Sequence, residues 1–231
     1  MSRSKAKGTR FETEIVGYLQ ESGFPGAERR ALAGTADRGD IMGVPDWALE
    51  AKCHDKLDLG SWAGEAETEA RNCGAKYWVV IHKYRLKPVR QAWATMPLWA
   101  GLSLLGLTPD LEVDCEVPRF RTQVARCVAA AGGPPPLEGT GGMAVWTALG
   151  EHNAQGTVAG WAIDVHNHVG IDLAGWAKQA ESRAKLPGGT GRWALVHNRR
   201  LVPVQQIYFT TSLEIWVAAL QRLAAPARAA I

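Results

Sequence analysis

The sequence has few cysteines and no pattern that would join them. Four are present, without a Cys-x-x-Cys pair and without regular spacing to histidine: Cys53, Cys73, Cys115 and Cys127. Disulfide frameworks and zinc knuckles both need such spacings, so neither is predicted. We interpret the cysteines as reduced thiols.

Long hydrophobic runs are also missing. No apolar stretch is longer than Met96 to Leu107, which is shorter than the roughly 20 residues that a helix needs to cross a bilayer. The basic amino terminus, residues 1–10, is not followed by a hydrophobic segment, so it differs from a secretory signal. We therefore predict a cytoplasmic protein with no membrane partner.

The chain has no strong net charge, but its charge is unevenly distributed. Of the formal net charge of +3, residues 1–115 contribute −1 (15 basic against 16 acidic) and residues 116–231 contribute +4 (11 against 7). Such mild basicity permits nucleic-acid binding without requiring it. The 46% of hydrophobic residues predicts a folded protein with a sizeable core.

The most informative feature of the sequence is an internal repeat. Residues 47–70 align with residues 161–184 at a constant offset of 114, and ten of these 24 positions are identical. Further identities follow at an offset of 115, beginning with Trp78 and Trp193. Tandem copies of one structural unit produce such a pattern.

The repeat predicts two domains of similar size. We place them at residues 1–107 and 119–231, with a linker at 108–118. The Gly/Pro-rich stretch 132–142 has the composition of an inter-domain linker. However, residues 120–130 align with the first helix, so we interpret the stretch as an enlarged loop inside the second copy.

Hydrophobic periodicity predicts the elements of the first copy. We expect a helix, three strands, a helix, two strands and a short helix, at residues 9–22, 29–33, 40–44, 46–52, 59–72, 76–83, 91–96 and 97–105. The second and third strands would form a hairpin, and Gly74 would end the second long helix.

Four residues of the first copy have the chemistry of a metal-dependent hydrolase. Glu50 and Lys52 lie two apart on a strand, so their side chains point to the same face. In a hairpin, the Asp40 carboxylate would approach Glu50, and converging carboxylates are ligands for Mg²⁺. Glu12, on the first helix, would add a further ligand. A neighbouring lysine suits phosphodiester hydrolysis, because it can orient water or neutralise developing negative charge.

These residues lie in segments that resemble the archaeal and phage Holliday junction resolvases of the PD-(D/E)xK nuclease superfamily. The resemblance covers residues 1 to about 100 and rests on four segments: Lys7-Gly-Thr-Arg-Phe-Glu12, Ala33-Gly-Thr35, Gly39-Asp40-Ile41 and Leu49-Glu-Ala-Lys52.

The resemblance implies an α/β fold, with two tandem copies of a restriction-endonuclease-like core in which a mixed sheet is flanked by helices. It implies Mg²⁺-dependent cleavage of four-way junctions or related branched DNA by a homodimer, with Mn²⁺ able to replace Mg²⁺. The cytoplasm would be that of a bacterium or of a phage-infected host cell.

Residue by residue, the resemblance assigns metal binding to three acids and a catalytic role to one lysine: Glu12, Asp40, Glu50 and Lys52. It also assigns a catalytic hydroxyl to Thr35 and the family's basic residue to Arg29 or Arg30. Asp46 is a rival for the motif aspartate, since Pro45-Asp46 matches the superfamily name, but it lies in the predicted hairpin turn. We prefer Asp40.

The second copy departs from the pattern at its functional positions. Glu12 aligns with Arg121, Glu50 with Asp164 and Lys52 with His166, and the region aligned with Asp40 has no acid. We therefore expect a folded but catalytically inactive copy that pairs with the first as a pseudo-dimer. Asp164, His166 and His168 could instead bind a transition metal, although inheritance and drift explain them more simply.

Two basic clusters are candidates for phosphate contacts, in addition to Arg29 and Arg30. One is an amino-terminal arm with Arg3, Lys5, Lys7 and Arg10, and the other lies between the last two strands, with Lys83, Arg85, Lys87 and Arg90. Tryptophans recur in both copies and could stack on bases. Their repetition in an inactive copy instead favours packing in the core.

We thus expect an endonuclease acting on branched DNA. Two alternatives remain at this point: a repair or restriction-type endonuclease with another DNA substrate, and a non-catalytic DNA-binding module.

Overall fold

The computed structural model describes residues 3–30, 37–112, 120–133, 160–167 and 170–228. In chain order, the described helices and strands are α1 (Arg3–Glu21), β1 (Glu28–Arg29), β2 (Ile41–Met42), β3 (Trp47–Lys52), α2 (Leu59–Cys73), β4 (Tyr77–His82), β5 (Trp93–Pro97), α3 (Leu98–Leu104), α4 (Phe120–Ala130), β6 (Ala162–His166), α5 (Leu173–Ala184), β7 (Trp193–His197), β8 (Tyr208–Ser212) and α6 (Leu213–Arg228).

The chain forms two compact units. Unit 1 consists of residues 1–96 and 212–231, and unit 2 consists of residues 97–211. Each unit therefore contains the last helix of the other sequence repeat: α6 belongs to unit 1 and α3 to unit 2. The predicted linker at 108–118 lies inside unit 2.

Unit 1 contains the five strands β1 to β5, which are neighbours in chain order. β3 and β4 are parallel, with Glu50 opposite Val80 and Lys52 opposite His82, and the other pairs are antiparallel. Parallel neighbours need a crossover connection, which α2 provides. The predicted mixed α/β architecture with flanking helices is confirmed, and its assignment to the restriction-endonuclease-like core remains a prediction.

Helix α2 forms as its sequence predicts. The Asp58 carboxylate accepts a hydrogen bond from the Ser61 N–H at 3.4 Å, which caps the amino terminus. Gly74 ends the helix in the left-handed conformation, with φ of 70°. The buried face of α2 includes Trp62 and Ala66. This face packs on β3 and β4.

Helix α6 completes the core of unit 1. The Leu213 N–H donates to the Ala92 carbonyl at 2.8 Å. Further along, Trp216 is fully buried and its ring meets that of Trp47 edge-on, with 5.3 Å between centroids. The Gln221 side-chain amide donates to the Ser22 carbonyl at 2.6 Å. Unit 1 thus depends on residues from both ends of the chain.

Unit 2 has a related arrangement. β6 and β7 are parallel, β7 and β8 are antiparallel, and α5 packs on β6 and β7. The Leu98 N–H at the start of α3 donates to the Ile207 carbonyl at 2.8 Å. A β-carbon on Gly101 of α3 would overlap the Phe209 ring, so the close approach of this helix requires glycine.

Equivalent positions of the two repeats make equivalent contacts. The His82 Nε2 and Thr95 Oγ1 atoms lie 2.9 Å apart, as do the His197 Nε2 and Thr210 Oγ1 atoms. Asp172 caps α5 as Asp58 caps α2. The sequence repeat therefore corresponds to repeated local structure.

Five of the six recurring tryptophans belong to the core, as predicted, each at most 7% exposed: Trp47, Trp62, Trp78, Trp161 and Trp193. The sixth, Trp176, is half-buried.

The other predicted elements agree with the structure except at their ends. α1 begins at Arg3 rather than at residue 9, and β2 is only two residues long. Among the described helices, none is long and apolar enough to span a membrane.

Candidate active site

Asp40 is held between β3 and the end of β1 by three hydrogen bonds to backbone groups. Its N–H donates to the Leu49 carbonyl at 3.0 Å, and its carbonyl accepts from the Arg30 N–H at 2.8 Å. Its Oδ2 atom accepts from the Ala51 N–H at 3.0 Å. The carboxylate therefore binds β3 between Glu50 and Lys52. It lies close enough to act electrostatically on the Glu50 carboxyl group.

Buried Glu50 and half-buried Lys52 form an ion pair on the face of β3 that packs against α2. Glu50 is 5% exposed. The Lys52 Nζ lies 2.5 Å from Glu50 Oε1 and 2.6 Å from Oε2 of Glu65, a residue of α2. Lys52 is therefore fixed between two carboxylates.

The surroundings of Glu50 favour its protonated form. Burial, followed by the neighbouring carboxylates of Asp40 and Glu69, raises the pKa of Glu50 to about 9, and Lys52 only partly offsets this. The site therefore holds more negative charge than its one lysine can neutralise.

Lys52 remains a cation at physiological pH. Burial disfavours its charged form, but the hydrogen bonds to Glu50 and Glu65 outweigh that cost and raise the pKa of Lys52 further. A lysine in this state can donate hydrogen bonds but cannot act as a general base.

Glu69 of α2 is a fourth carboxylate, which the sequence interpretation missed. It is 3% exposed, and its Oε2 atom has no hydrogen-bond partner. Burial, followed by the Asp37 carboxylate, raises the pKa of Glu69 to about 7. A signal was present in the sequence: Glu69 falls seven residues after Trp62, on the buried face of the helix.

Glu12, the third predicted metal ligand, pairs with a cation. The Arg29 Nη2 and Nε atoms lie 2.6 Å and 2.7 Å from Glu12 Oε2, joining α1 to β1. Arg29 was predicted to contact DNA, and here it binds this acid.

The predicted metal would have to bind among these carboxylates. In the described ranges, no three acidic, histidine or cysteine side chains are gathered into a ready metal site. The donor set nevertheless fits a hard cation, because Glu69 Oε2 is an orphaned buried oxygen beside further carboxylates. Binding would require Glu50 to exchange its contact with Lys52 for the metal.

A basic groove opens at the carboxyl ends of β3 and β4. It has a volume of about 590 Å³. Five cations line it, against two acids, Glu14 and Asp55: Lys7, Arg10, Lys83, Arg85 and Lys87. The predicted contacts Lys7, Arg10, Lys83 and Arg85 are therefore brought together, although Lys7 pairs with Asp55 at 3.2 Å and Lys83 with Glu14 at 3.2 Å.

The groove and the carboxylates lie on opposite faces of the sheet. Lys83 lies over the Phe11 ring of α1, whereas Glu50 and Lys52 meet α2. The two regions adjoin at the end of β3, where Cys53 and His54, which line the groove, directly follow Lys52.

The remaining predicted residues are the catalytic hydroxyl, three basic residues and the rival motif aspartate. Thr35 lies outside the described residues, as does the side chain of Arg3. Lys5 is exposed on α1, and Arg30 is half-buried beside Asp40. Asp46, the rival motif aspartate, is exposed in the turn before β3, with φ of 66°.

The second repeat has a different set of contacts at its equivalent site. Asp164 pairs with Arg183 of α5, and the His166 ring stacks on Trp176 with 4.2 Å between centroids. His168 lies outside the described residues, so the alternative transition-metal site stays a prediction.

Comparison with protein-family models, curated proteins and solved structures finds no match to this chain.

Proposed function

We propose that the protein is a metal-dependent endonuclease that hydrolyses phosphodiester bonds in branched DNA, with four-way junctions as its main substrate. The observation that carries this proposal is the group formed by Asp40, Glu50 and Lys52. Two carboxylates and one charged lysine meet at the end of a buried strand, where they are fixed by the backbone of β3 and by α2.

The group suits phosphate hydrolysis better than an ordinary surface ion pair does. An exposed ion pair contributes little to stability and forms without burying its carboxylate. Here Glu50 is buried beside other acids, which is costly unless a cation or a proton neutralises it. Such arrangements occur at functional sites more often than in structural pairs.

Each residue has a distinct role in the proposed reaction. Asp40 and Glu50 would hold the cation, which polarises the phosphate and lowers the pKa of the attacking water. Lys52, charged and bound on two sides, would donate hydrogen bonds to the water or to the oxygen on which negative charge develops. Glu65 orients Lys52 from α2 through its contact at 2.6 Å.

The basic groove supports DNA as the substrate. Two of its five cations lie on α1 and three lie in the loop after β4, where Leu86 is exposed. Leu86 and its equivalent Leu201 both have positive φ, at 60° and 61°, and both are fully or nearly fully exposed. A duplex at the end of the strands would reach both the groove and the carboxylates.

The direct test is cleavage of defined DNA substrates. We expect the purified chain to cut a four-way junction in Mg²⁺ or Mn²⁺ and to be inactive in EDTA. A splayed flap and a linear duplex of the same sequence should be cut more slowly. Faster cutting of flap or linear DNA would favour a repair or restriction-type enzyme. Binding without cleavage in either metal would leave a DNA-binding module.

The groove leads to a separate prediction for binding. Replacing Lys83 and Arg85 together by alanine should weaken junction binding in EDTA by about tenfold or more, because two phosphate contacts are lost. The slope of log affinity against log salt should fall by about 2. Fluorescence anisotropy over a salt series measures both quantities.

A matched control is available at the other end of the same strand. Arg71 and Lys76 are exposed cations near the start of β4. Their double alanine variant removes the same charge and should leave the salt slope within about 0.5 of the original. Equal weakening by both double variants would mean that net charge, rather than the groove, governs binding.

A further inference from the structure

Glu69 is a buried carboxyl group with one oxygen that lacks a hydrogen-bond partner. It lies on α2, and its Oε2 atom has no hydrogen-bond partner. The atom is directed at the segment before β2, since it would lie 3.5 Å from a β-carbon on Gly39, the residue preceding Asp40. Among the described residues, no lysine or arginine forms an ion pair with Glu69.

The local charge makes this burial more costly. The Asp37 and Asp40 carboxylates raise the pKa of Glu69, whereas a side-chain hydrogen bond with Glu50 and the Lys52 cation lower it. Lys52 is already shared between Glu50 and Glu65. A buried charge is tolerated when it is paired or when it coordinates a metal. The site therefore has more carboxylates than Lys52 can neutralise, and a second cation would balance the remaining negative charge.

The second repeat solves the same problem with protein atoms. Asp164 is the equivalent of Glu50 and is likewise buried, at 7% exposed. Arg183 is the equivalent of Glu69, and its Nη1 atom pairs with Asp164 Oδ1. The position on the helix faces the same position on the strand in both repeats. It carries an acid in the first repeat, and in the second repeat, where Asp164 alone of the aligned acids remains, it carries an arginine.

We propose that Glu69 is a further ligand of the divalent cation, together with Asp40 and Glu50, and that the Arg183 guanidinium occupies the equivalent place in the second repeat. The proposal rests on the proposed function in needing a metal at this site. It adds a ligand from α2. Carboxylate oxygens from the segment before β2, from β3 and from α2 would surround one hard cation, with water completing its shell.

Metal binding can be measured without DNA and without activity. We would titrate the chain with Mn²⁺ and follow free Mn²⁺ by electron paramagnetic resonance. Glu69→Gln should weaken Mn²⁺ affinity at least tenfold, because one anionic ligand is lost. Glu67→Gln is the matched control, with the same chemical change two residues earlier on α2, and should stay within twofold of the original chain.

Stability in EDTA separates a ligand from a merely structural residue. Glu69→Gln removes a buried charge, so it should unfold in urea at a midpoint no lower than that of the original chain. Glu69→Arg copies the second repeat into the first. It should abolish Mn²⁺ binding and raise the urea midpoint, because the arginine can pair with Glu50 as Arg183 pairs with Asp164.

The outcomes distinguish this proposal from the proposed function. If the original chain binds Mn²⁺ and cleaves DNA but Glu69→Gln binds Mn²⁺ equally well, only the assignment of Glu69 is wrong. If the original chain binds no Mn²⁺, both proposals fail. If Glu69→Gln lowers the urea midpoint in EDTA, Glu69 supports the fold, and the ligand assignment is overturned.

Discussion

Replacing Lys52 by alanine should lower the rate of Mg²⁺-dependent junction cleavage by about 10³-fold or more. The reason is positional: Lys52 is the charged donor beside Glu50, and Glu65 holds it from α2. Removing it takes away stabilisation that matters only when negative charge develops on the phosphate. Single-turnover cleavage with enzyme in excess measures this rate without a contribution from product release.

Two controls make the result specific. Lys56→Ala removes the same side chain from an exposed position four residues later and should leave the rate within about twofold. Junction affinity in EDTA should also change little in Lys52→Ala, because one phosphate contact at most is lost. Full cleavage activity in Lys52→Ala would contradict the proposed site, and so would loss of activity that follows loss of DNA binding.

The second large effect concerns stability and a residue far from the site in sequence. Trp216→Ala should lower the free energy of unfolding of unit 1 by about 3–5 kcal/mol, the usual cost of emptying a large aromatic position in a core. Trp216 is fully buried, and its ring packs edge-on against Trp47 at the start of β3. The strand that carries Glu50 would lose its support.

Urea unfolding followed by far-ultraviolet circular dichroism provides the measurement. Leu223→Ala is the control on the same helix, since Leu223 is 46% exposed, and it should cost less than about 1 kcal/mol. An unfolding free energy within 0.5 kcal/mol of the original in Trp216→Ala would mean that α6 is not integral to unit 1.

Much of the local structure of unit 1 follows from its sequence. Asp58, the apolar stripe of α2 and Gly74 define a helix from local signals alone. The hairpin pattern likewise brings Asp40 to Glu50. These features depend on neighbours close in the chain, so periodicity and capping residues contain the information.

The features that the sequence did not reveal depend on distant neighbours. Glu69 looked like one of several glutamates on an amphipathic helix, because nothing local indicates that β3 faces it with another acid. The Arg29 contact to Glu12 is of the same kind, since a charge pair has no sequence signature. The sequence also does not show that α3 belongs to unit 2 and α6 to unit 1, because a repeat reveals equivalent segments but not which ones pack together.

The placement of α6 has a consequence for biosynthesis. The contact between Ser22 and Gln221 spans 199 residues. The ribosome must therefore synthesise α6 before Trp216 can cover Trp47 in unit 1. Such long-range closure is slow compared with local helix formation. The strand that carries Glu50 thus acquires its final support only after α6 has been synthesised, long after the strand itself.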